Sequence, residues 1–406
     1  MVSKGFFGVD RLTWARVCDS DNINEAVAYL VLAQGTGHGN RSTSWSVESL
    51  RNYAGMSWSR SKAAIEQLVG KGFIRHAESS SPSKPRYELL SQDEWATTAF
   101  HTARAALTVY ERSLLSDIEQ NKAVNVSRKR SCRGILSRLE QLRLINPQPN
   151  GTYTAAQTPV CHEPDLIWLP NTLVTGTDKG EESPVRRLRG GGNIWTLRLF
   201  IDLYHAQNLR DDGGINPTVL QERYSRMLVG EQGIFTVWGF KAESRSAWWT
   251  GPLEAHRARP NAAAGNHPVW ESVSHLEEYG LLSFIPHLWE NDTGSAEIIH
   301  SYGIDDRGEP VEKELGRAAH EAALSMLPEF KVRKATAEGY YHLAPVRRTL
   351  PSVQMIGVAR LRYRPHTART TSWFANLRKE GPAWVARYEE LRGKAQNPHV
   401  SAVWNQ

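Results

Sequence analysis

The chain is nearly devoid of cysteine: Cys18, Cys132 and Cys161 are its only three in 406 residues. Their odd number and wide spacing give neither a disulfide framework nor a zinc pattern, and they fit a reducing compartment. Long hydrophobic runs are missing too. No stretch of about eighteen apolar residues exists, so no membrane-spanning helix is expected. Met1 to Phe7 contains one lysine but no long apolar core, which argues against a secretory signal. A cytoplasmic protein without a membrane partner is expected. Catalytic signatures are equally scarce. The fourteen histidines form no His-Glu-x-x-His set, and Cys161-His162-Glu163 stands alone. There is no Gly-x-Ser-x-Gly elbow and no kinase motif set. Asp211-Asp212 and Asp305-Asp306 are paired acids beside glycines, a composition typical of turns. These absences point away from an enzyme and give no signature of a metal, a cofactor or a small-molecule ligand.

What remains is ordinary in bulk and uneven in distribution. A hydrophobic fraction of 40% and a charged fraction of 23% are those of a globular protein, and the length suggests two to four domains. The net charge is +6. Between Lys331 and Lys394, however, fourteen Lys and Arg stand against four Glu. That balance suits phosphates, anionic lipid or an acidic protein.

Residues 22–90 carry the clearest pattern. Asn22 to Gln34 reads as a buried helix. Ser46 caps a second helix with Val47, Leu50, Tyr53 and Ala54 on one face, and Gly55-Met56 makes a turn. Ser57 caps a third helix whose inward positions are Ser61, Ala64, Ile65, Leu68 and Val69. Gly72 stops it. Phe73-Ile74-Arg75 and Arg86 to Leu90 then read as two strands around a Ser- and Pro-rich tip.

This order resembles the winged helix-turn-helix modules of MarR-type regulators and plasmid replication initiators. The resemblance rests on Ser46-Val47-x-x-Leu50-x-x-Tyr53-Ala54-Gly55-Met56-Ser57 and on Ile65-x-x-Leu68 leading to Gly72-Phe73-Ile74. The spacing recurs. Ile65, Leu68 and Ile74 are matched by Leu136, Leu139 and Ile145, after helical patterns at Leu107–Lys122 and Arg128–Arg143. A looser third copy has a helix from Ile194 to Gln207, a short helix opened by Asn216-Pro217 and running to Tyr224, and Val273, Leu276 and Leu282 at the same steps.

The expected fold class is α+β: mainly helical tandem winged helix-turn-helix modules followed by a basic α+β C-terminal region. The expected boundaries are module 1 at 1–92, module 2 at 93–160, a basic Gly-rich linker at 161–193, module 3 with an insertion at 194–293, and the C-terminal domain at 294–406. Strands are expected at Ala296–His300, Tyr340–Leu343 and Met355–Tyr363, and helices at Val311–Met326 and Trp373–Arg392.

A recognition helix needs an apolar inner face and short polar or basic residues on its outer first turns. Module 1 offers Trp58, Ser59, Arg60 and Lys62 there, with Lys84 and Arg86 on the hairpin. Module 2 offers Ser127, Arg128, Lys129, Arg130 and Arg133. Arginine suits this work because its planar fork can address guanine O6 and N7 together. Arg360, Arg362 and Arg364 alternate with Leu361 and Tyr363, so one strand face is expected to be basic and to contact DNA, with an acidic protein as the rival partner. Trp270, Glu271 and His275 stand where module 3 would need cations, so that copy suits packing or partner binding instead. The resemblance implies a sequence-specific double-stranded DNA-binding protein of a bacterium or mobile element, a transcriptional regulator, with a homodimer as one arrangement. A replication initiator is the alternative of the same class, and a winged-helix interaction scaffold that of another.

Overall fold

Strand β1 (Phe6–Asp10) leads directly into helix α1 (Arg11–Cys18), because the Asp10 carboxylate accepts the Thr13 amide at 2.7 Å. Helix α2 (Ile23–Gln34) follows, capped by Asn22. Every residue from Glu25 to Ala33 in α2 is buried. A helix without a polar face has to sit inside other elements, and its neighbours wrap it. The one charge in that stretch, Glu25, is met by the Lys71 ammonium at 2.6 Å.

Those neighbours are α1, helix α3 (Val47–Ala54) and helix α4 (Trp58–Gly70), and the segment also contains strands β2 (Ser42–Thr43), β3 (Ile74–His76) and β4 (Tyr87–Leu89). A Ser46/Ser49 capping box starts α3, and Gly55 ends it with φ +63°, a conformation glycine takes without penalty. The three strands form one antiparallel sheet in the order β2-β4-β3, with Thr43 and His76 both opposite Tyr87.

Further along, helix α5 (Val109–Glu119) opens with a Thr108/Glu111 capping box. Helix α6 (Arg130–Gln141) leads into the hairpin of β5 (Ile145–Pro147) and β6 (Tyr153–Ala155). Leu136, Leu139 and Ile145 join Leu115 and Ile118 in one buried cluster. The three-then-six spacing therefore marks core positions here, as Ile65, Leu68 and Ile74 do in the first segment.

The computed structural model describes residues 5–396 except 92–93, 96–102, 121–129, 143, 149–151, 157–164, 178–179, 250, 258, 260–266, 292, 294–295, 305–306 and 365–367; the side chains of 38, 130–132 and 368–370 are also outside the description. The described residues are mixed α+β, as expected. The chain divides into two units: Phe7–Ile167 with Arg189–Ile194, and Met1–Phe6 with Trp168–Leu188 and Trp195–Gln406.

The second unit departs from expectation. After strand β7 (Leu166–Pro170), residues Pro184–Gly191 form helix α7 with Pro184, Val185 and Leu188 buried, where a flexible linker was expected. Helix α8 (Ile194–His205) agrees with the sequence reading. Two-residue strands β8 (Gln207–Asn208) and β9 (Gly214–Ile215) then pair around a turn. Asn216-Pro217 opens no helix. The Asn216 side chain accepts the Thr218 amide and hydroxyl in a local turn, and Leu220–Gln232 is a long strand, β10. Its alternation places Leu220, Glu222 and Tyr224 inward, and the acid at the middle inward position hides the two-residue period from a hydrophobicity reading.

Strand β11 (Phe235–Ala247) returns beside β10, so the expected insertion is a β-hairpin. Helix α9 (Val269–Glu278), β12 (Leu282–Trp289), β13 (Ile298–Ser301), helices α10 (Pro310–Met326) and α11 (Glu329–Ala337), β14 (His342–Arg347), β15 (Gln354–Leu361) and helix α12 (Ala368–Gln396) complete the unit. Six strands make one sheet in the order β13-β12-β15-β10-β11-β14. Val273, Leu276 and Leu282 are buried as read, but Leu282 starts a strand paired with β15, not a free hairpin. Segments 194–293 and 294–406 share this sheet, so the third copy is not a helical module of its own. Residues Leu315, Ala318, Ala319 and Ala322 of α10 pack with Val385 and Tyr388 of α12 against Tyr224, Phe240 and Met355 of the sheet. Small residues permit the close approach: a Cβ on Gly316 would lie 2.1 Å from the Gly303 carbonyl oxygen.

Two histidines lie fully inside this core. His287 donates through Nδ1 to the Ile285 carbonyl; His300 donates through Nδ1 to the Ser301 carbonyl and receives the Tyr388 hydroxyl at Nε2. Burial pushes both down from 6.5 to about 4. Between those values the unfolded chain binds protons that the folded chain refuses. Stability is thus complete above pH 6.5 and is lost on acidification toward pH 4, by about 1.4 kcal/mol per pH unit for each histidine. Urea midpoints should fall across that window, and less steeply in His300→Gln. A midpoint independent of pH there would contradict the burial of these rings.

Candidate nucleic-acid interface

Helices α3 and α4 are joined by Gly55, Met56 and Ser57, a connection short enough to fix their mutual angle. The turn is held from behind: Arg189 donates to the Ala54 carbonyl at 2.7 Å and the Gly55 carbonyl at 3.2 Å. That guanidinium of the expected linker is thus directed at the C-terminal carbonyls of α3. Ser57 caps α4 by accepting the Arg60 amide. Ser61, Ala64, Ile65 and Leu68 anchor the inner face. Trp58, Ser59, Arg60 and Lys62 all point outward, with Trp58 58% exposed, unusual for an indole.

One edge of α4 runs Trp58, Lys62, Glu66 at four-residue steps. It lines an open groove of about 850 Å³, whose opposite wall is the β3–β4 hairpin with His76, Ser81 and Tyr87. Burial first, and the Glu66 carboxylate second, push the Tyr87 hydroxyl above its usual range. Lys62 and Glu66 lie 3.8 Å apart with both side chains mostly exposed, a pairing worth little in water. Arg60, Lys84 and Arg86 form no ion pair among the described residues. The hairpin tip is ordered by its own serines: the Lys84 amide donates to Ser81 and the Arg86 amide to Ser80. Lys62 is the cation that lines the groove, while Lys84 and Arg86 are exposed on the hairpin outside its lining.

Sequence reasoning found the α4 cations and missed Glu66, His76 and Tyr87. The available signal was the four-residue step from Lys62 and the hairpin register that puts His76 opposite Tyr87.

In the second copy, Ser127, Arg128 and Lys129 lie outside the described residues, as does the Arg130 side chain. Arg133 is exposed on α6. The outer face of this helix also carries Arg138, 3.1 Å from the buried Glu111 of α5, so one of its cations is committed to holding the two helices together.

The expected basic strand face at Arg360, Arg362 and Arg364 is not formed. β15 is an interior strand with both faces covered, and Arg360 is 5% exposed. Its guanidinium clamps the buried Glu312 carboxylate at 2.7 and 3.1 Å and donates to the Gly213 carbonyl at 2.6 Å. Although burial opposes ionisation, the adjacent guanidinium holds the Glu312 carboxyl below its ordinary range. Beyond the strand, Arg362 pairs with Glu181 at 3.0 Å, and Arg364 with Glu309 at 2.9 Å over the Phe374 ring. These arginines serve the fold.

Among the described residues no group of three potential ligands is arranged for a metal ion. Cys161-His162-Glu163 and Asp305-Asp306 lie outside the described residues, and Asp211-Asp212 sits in the turn between β8 and β9. Comparison with protein-family models, curated proteins and solved structures returns no match.

The internal role of Arg360 has a measurable consequence. Arg360→Met leaves Glu312 buried without its partner and should cost about 3–5 kcal/mol in a chemical melt. Adding Glu312→Leu should recover most of the loss. A surface role would leave the single variant as stable as the parent.

Proposed function

We propose that the chain is a sequence-specific double-stranded DNA-binding protein, a transcriptional regulator, in which α4 enters the major groove and the β3–β4 hairpin steadies the complex on the backbone. The observation that carries this reading is the division of α4: an inner face fixed in the core, and an outer first two turns bearing Trp58, Ser59, Arg60 and Lys62. Helix N-terminal residues of this kind face base edges in a docked recognition helix. Two helices across a tight turn, then a hairpin whose second strand also pairs with the strand before α3, is the arrangement of a winged helix-turn-helix. Lys84 and Arg86 lie at the hairpin, where phosphate contacts fix register. Arg133 on α6 is an exposed cation of a second, similar helix–hairpin segment.

Recurrence of that segment in one chain favours a second reading, a replication initiator that grips repeated sites. The two differ in their targets: an initiator selects iterated origin repeats and opens the duplex beside them, whereas a regulator selects a promoter element and leaves it paired.

Arg60→Ala and Lys62→Ala should each weaken binding to a selected duplex. Each phosphate contact removed should reduce the slope of log affinity against log salt by about one. Arg133→Ala tests α6 in the same assay. Parent-like affinity and slope in Arg60→Ala and Lys62→Ala would remove α4 from the interface.

A further inference from the structure

The second unit contains a cavity of about 640 Å³ that the DNA reading leaves unused. Four carboxylates, Asp211, Asp212, Glu297 and Glu380, line it against one cation, Arg210. His300 also contributes to its wall, but burial keeps that ring neutral at pH 7. Three indoles share the lining: Trp289, Trp373 and Trp384. An aromatic ring attracts a cation through its negative face, and Trp does so most strongly. Trp384 already uses this attraction, with the Arg387 guanidinium 4.7 Å from its ring centre.

The site is built, not merely acidic. The turn that bears Asp211 and Asp212 is pressed against Trp373: a Cβ on Gly213 would lie 2.3 Å from that indole. Gly213 also adopts φ +63°, so no other residue fits there without strain. Asp212 is 9% exposed and receives side-chain hydrogen bonds from Asn216, at 3.1 Å, and from Asn208. Burial, with the neighbouring Asp211 carboxylate adding to it, raises its carboxyl above the usual range despite those hydrogen bonds. The hydroxyl of Ser301, a residue 2% exposed that lines the same cavity, has no hydrogen-bond partner among the described residues.

We propose that this cavity binds a small organic cation of the alkylammonium or guanidinium class, held between the carboxylates and the indole rings. The volume lies within the range of small-molecule sites. The excess of acid disfavours anions such as nucleotides, and the described carboxylates are not grouped for a metal ion. The inference stands on the second unit alone and does not depend on DNA binding.

Titration of the full chain with agmatine, putrescine and choline, followed by tryptophan fluorescence and calorimetry, tests it. At least one should bind saturably, while butanediol and glutarate should not. Choline alone would assign the affinity to the rings; agmatine or putrescine would assign it to the carboxylates as well. Asp212→Asn and Glu380→Gln, each with a parent-like melting curve, should weaken that binding about tenfold. Absence of saturation with all three cations, equal binding of butanediol, or unchanged affinity in both variants would overturn the proposal.

Discussion

The first unit is organised by the burial of one helix. With Ala26 through Ala33 all at or below 1% exposure, α2 has no side left for water, and every adjacent element must offer it an apolar surface. Helix α4 does so with Ala64, Ile65 and Leu68. Because those positions recur at helical spacing, the opposite face is fixed as well, and Arg60 and Lys62 are directed outward by the same packing that buries Leu68. The candidate interface follows from the core geometry. Its arginine needs no special positioning device, since the capped first turn and the Gly55 bend hold the helix end in place.

The second unit shows how a basic stretch in sequence becomes internally balanced in three dimensions. Much of the positive charge between Lys331 and Lys394 is met by acids of the same unit: Arg348 by Glu231, Arg360 by Glu312, Arg362 by Glu181, Arg364 by Glu309 and Arg392 by Glu321. Four of those acids precede residue 313 and lie far from their partners along the chain. A charge count over a window cannot register such pairs, which is why the basic tail looked like a phosphate-binding surface. The acids in these pairs differ in exposure: Glu312 is wholly enclosed, while Glu181 remains partly in water and contributes correspondingly little.

Legibility followed the same division. In the first unit local signals and tertiary packing agree: caps at Asn22, Ser46 and Ser57, the glycine stop at Gly72, and the apolar steps at Ile65, Leu68 and Ile74 all fall where the elements begin, end and pack. The helices α10 and α12 were legible for the same reason. Strand β10 was not. Its inward positions include Glu222, which is buried because Arg245, directly opposite it on β11, and Arg307, from further along the chain, approach it, and no periodicity scale anticipates an acid facing a core. Arg360 fails identically. Its position in a strand was readable, but its burial depends on Glu312 reaching it from another element. The acidic turn at Asp211-Asp212 was read correctly as a turn, while its place beside three tryptophans arises only from the fold.

The central claim is that the outer face of α4 reads base sequence. Selection of bound duplexes from a random pool with the full chain, followed by sequencing at two salt concentrations, tests it most directly. An α4 that reads base edges should yield an enriched motif that persists at the higher salt while total binding falls steeply, and that is lost in Arg60→Ala. A pool that remains random at both concentrations, or a motif unchanged in Arg60→Ala, would contradict it.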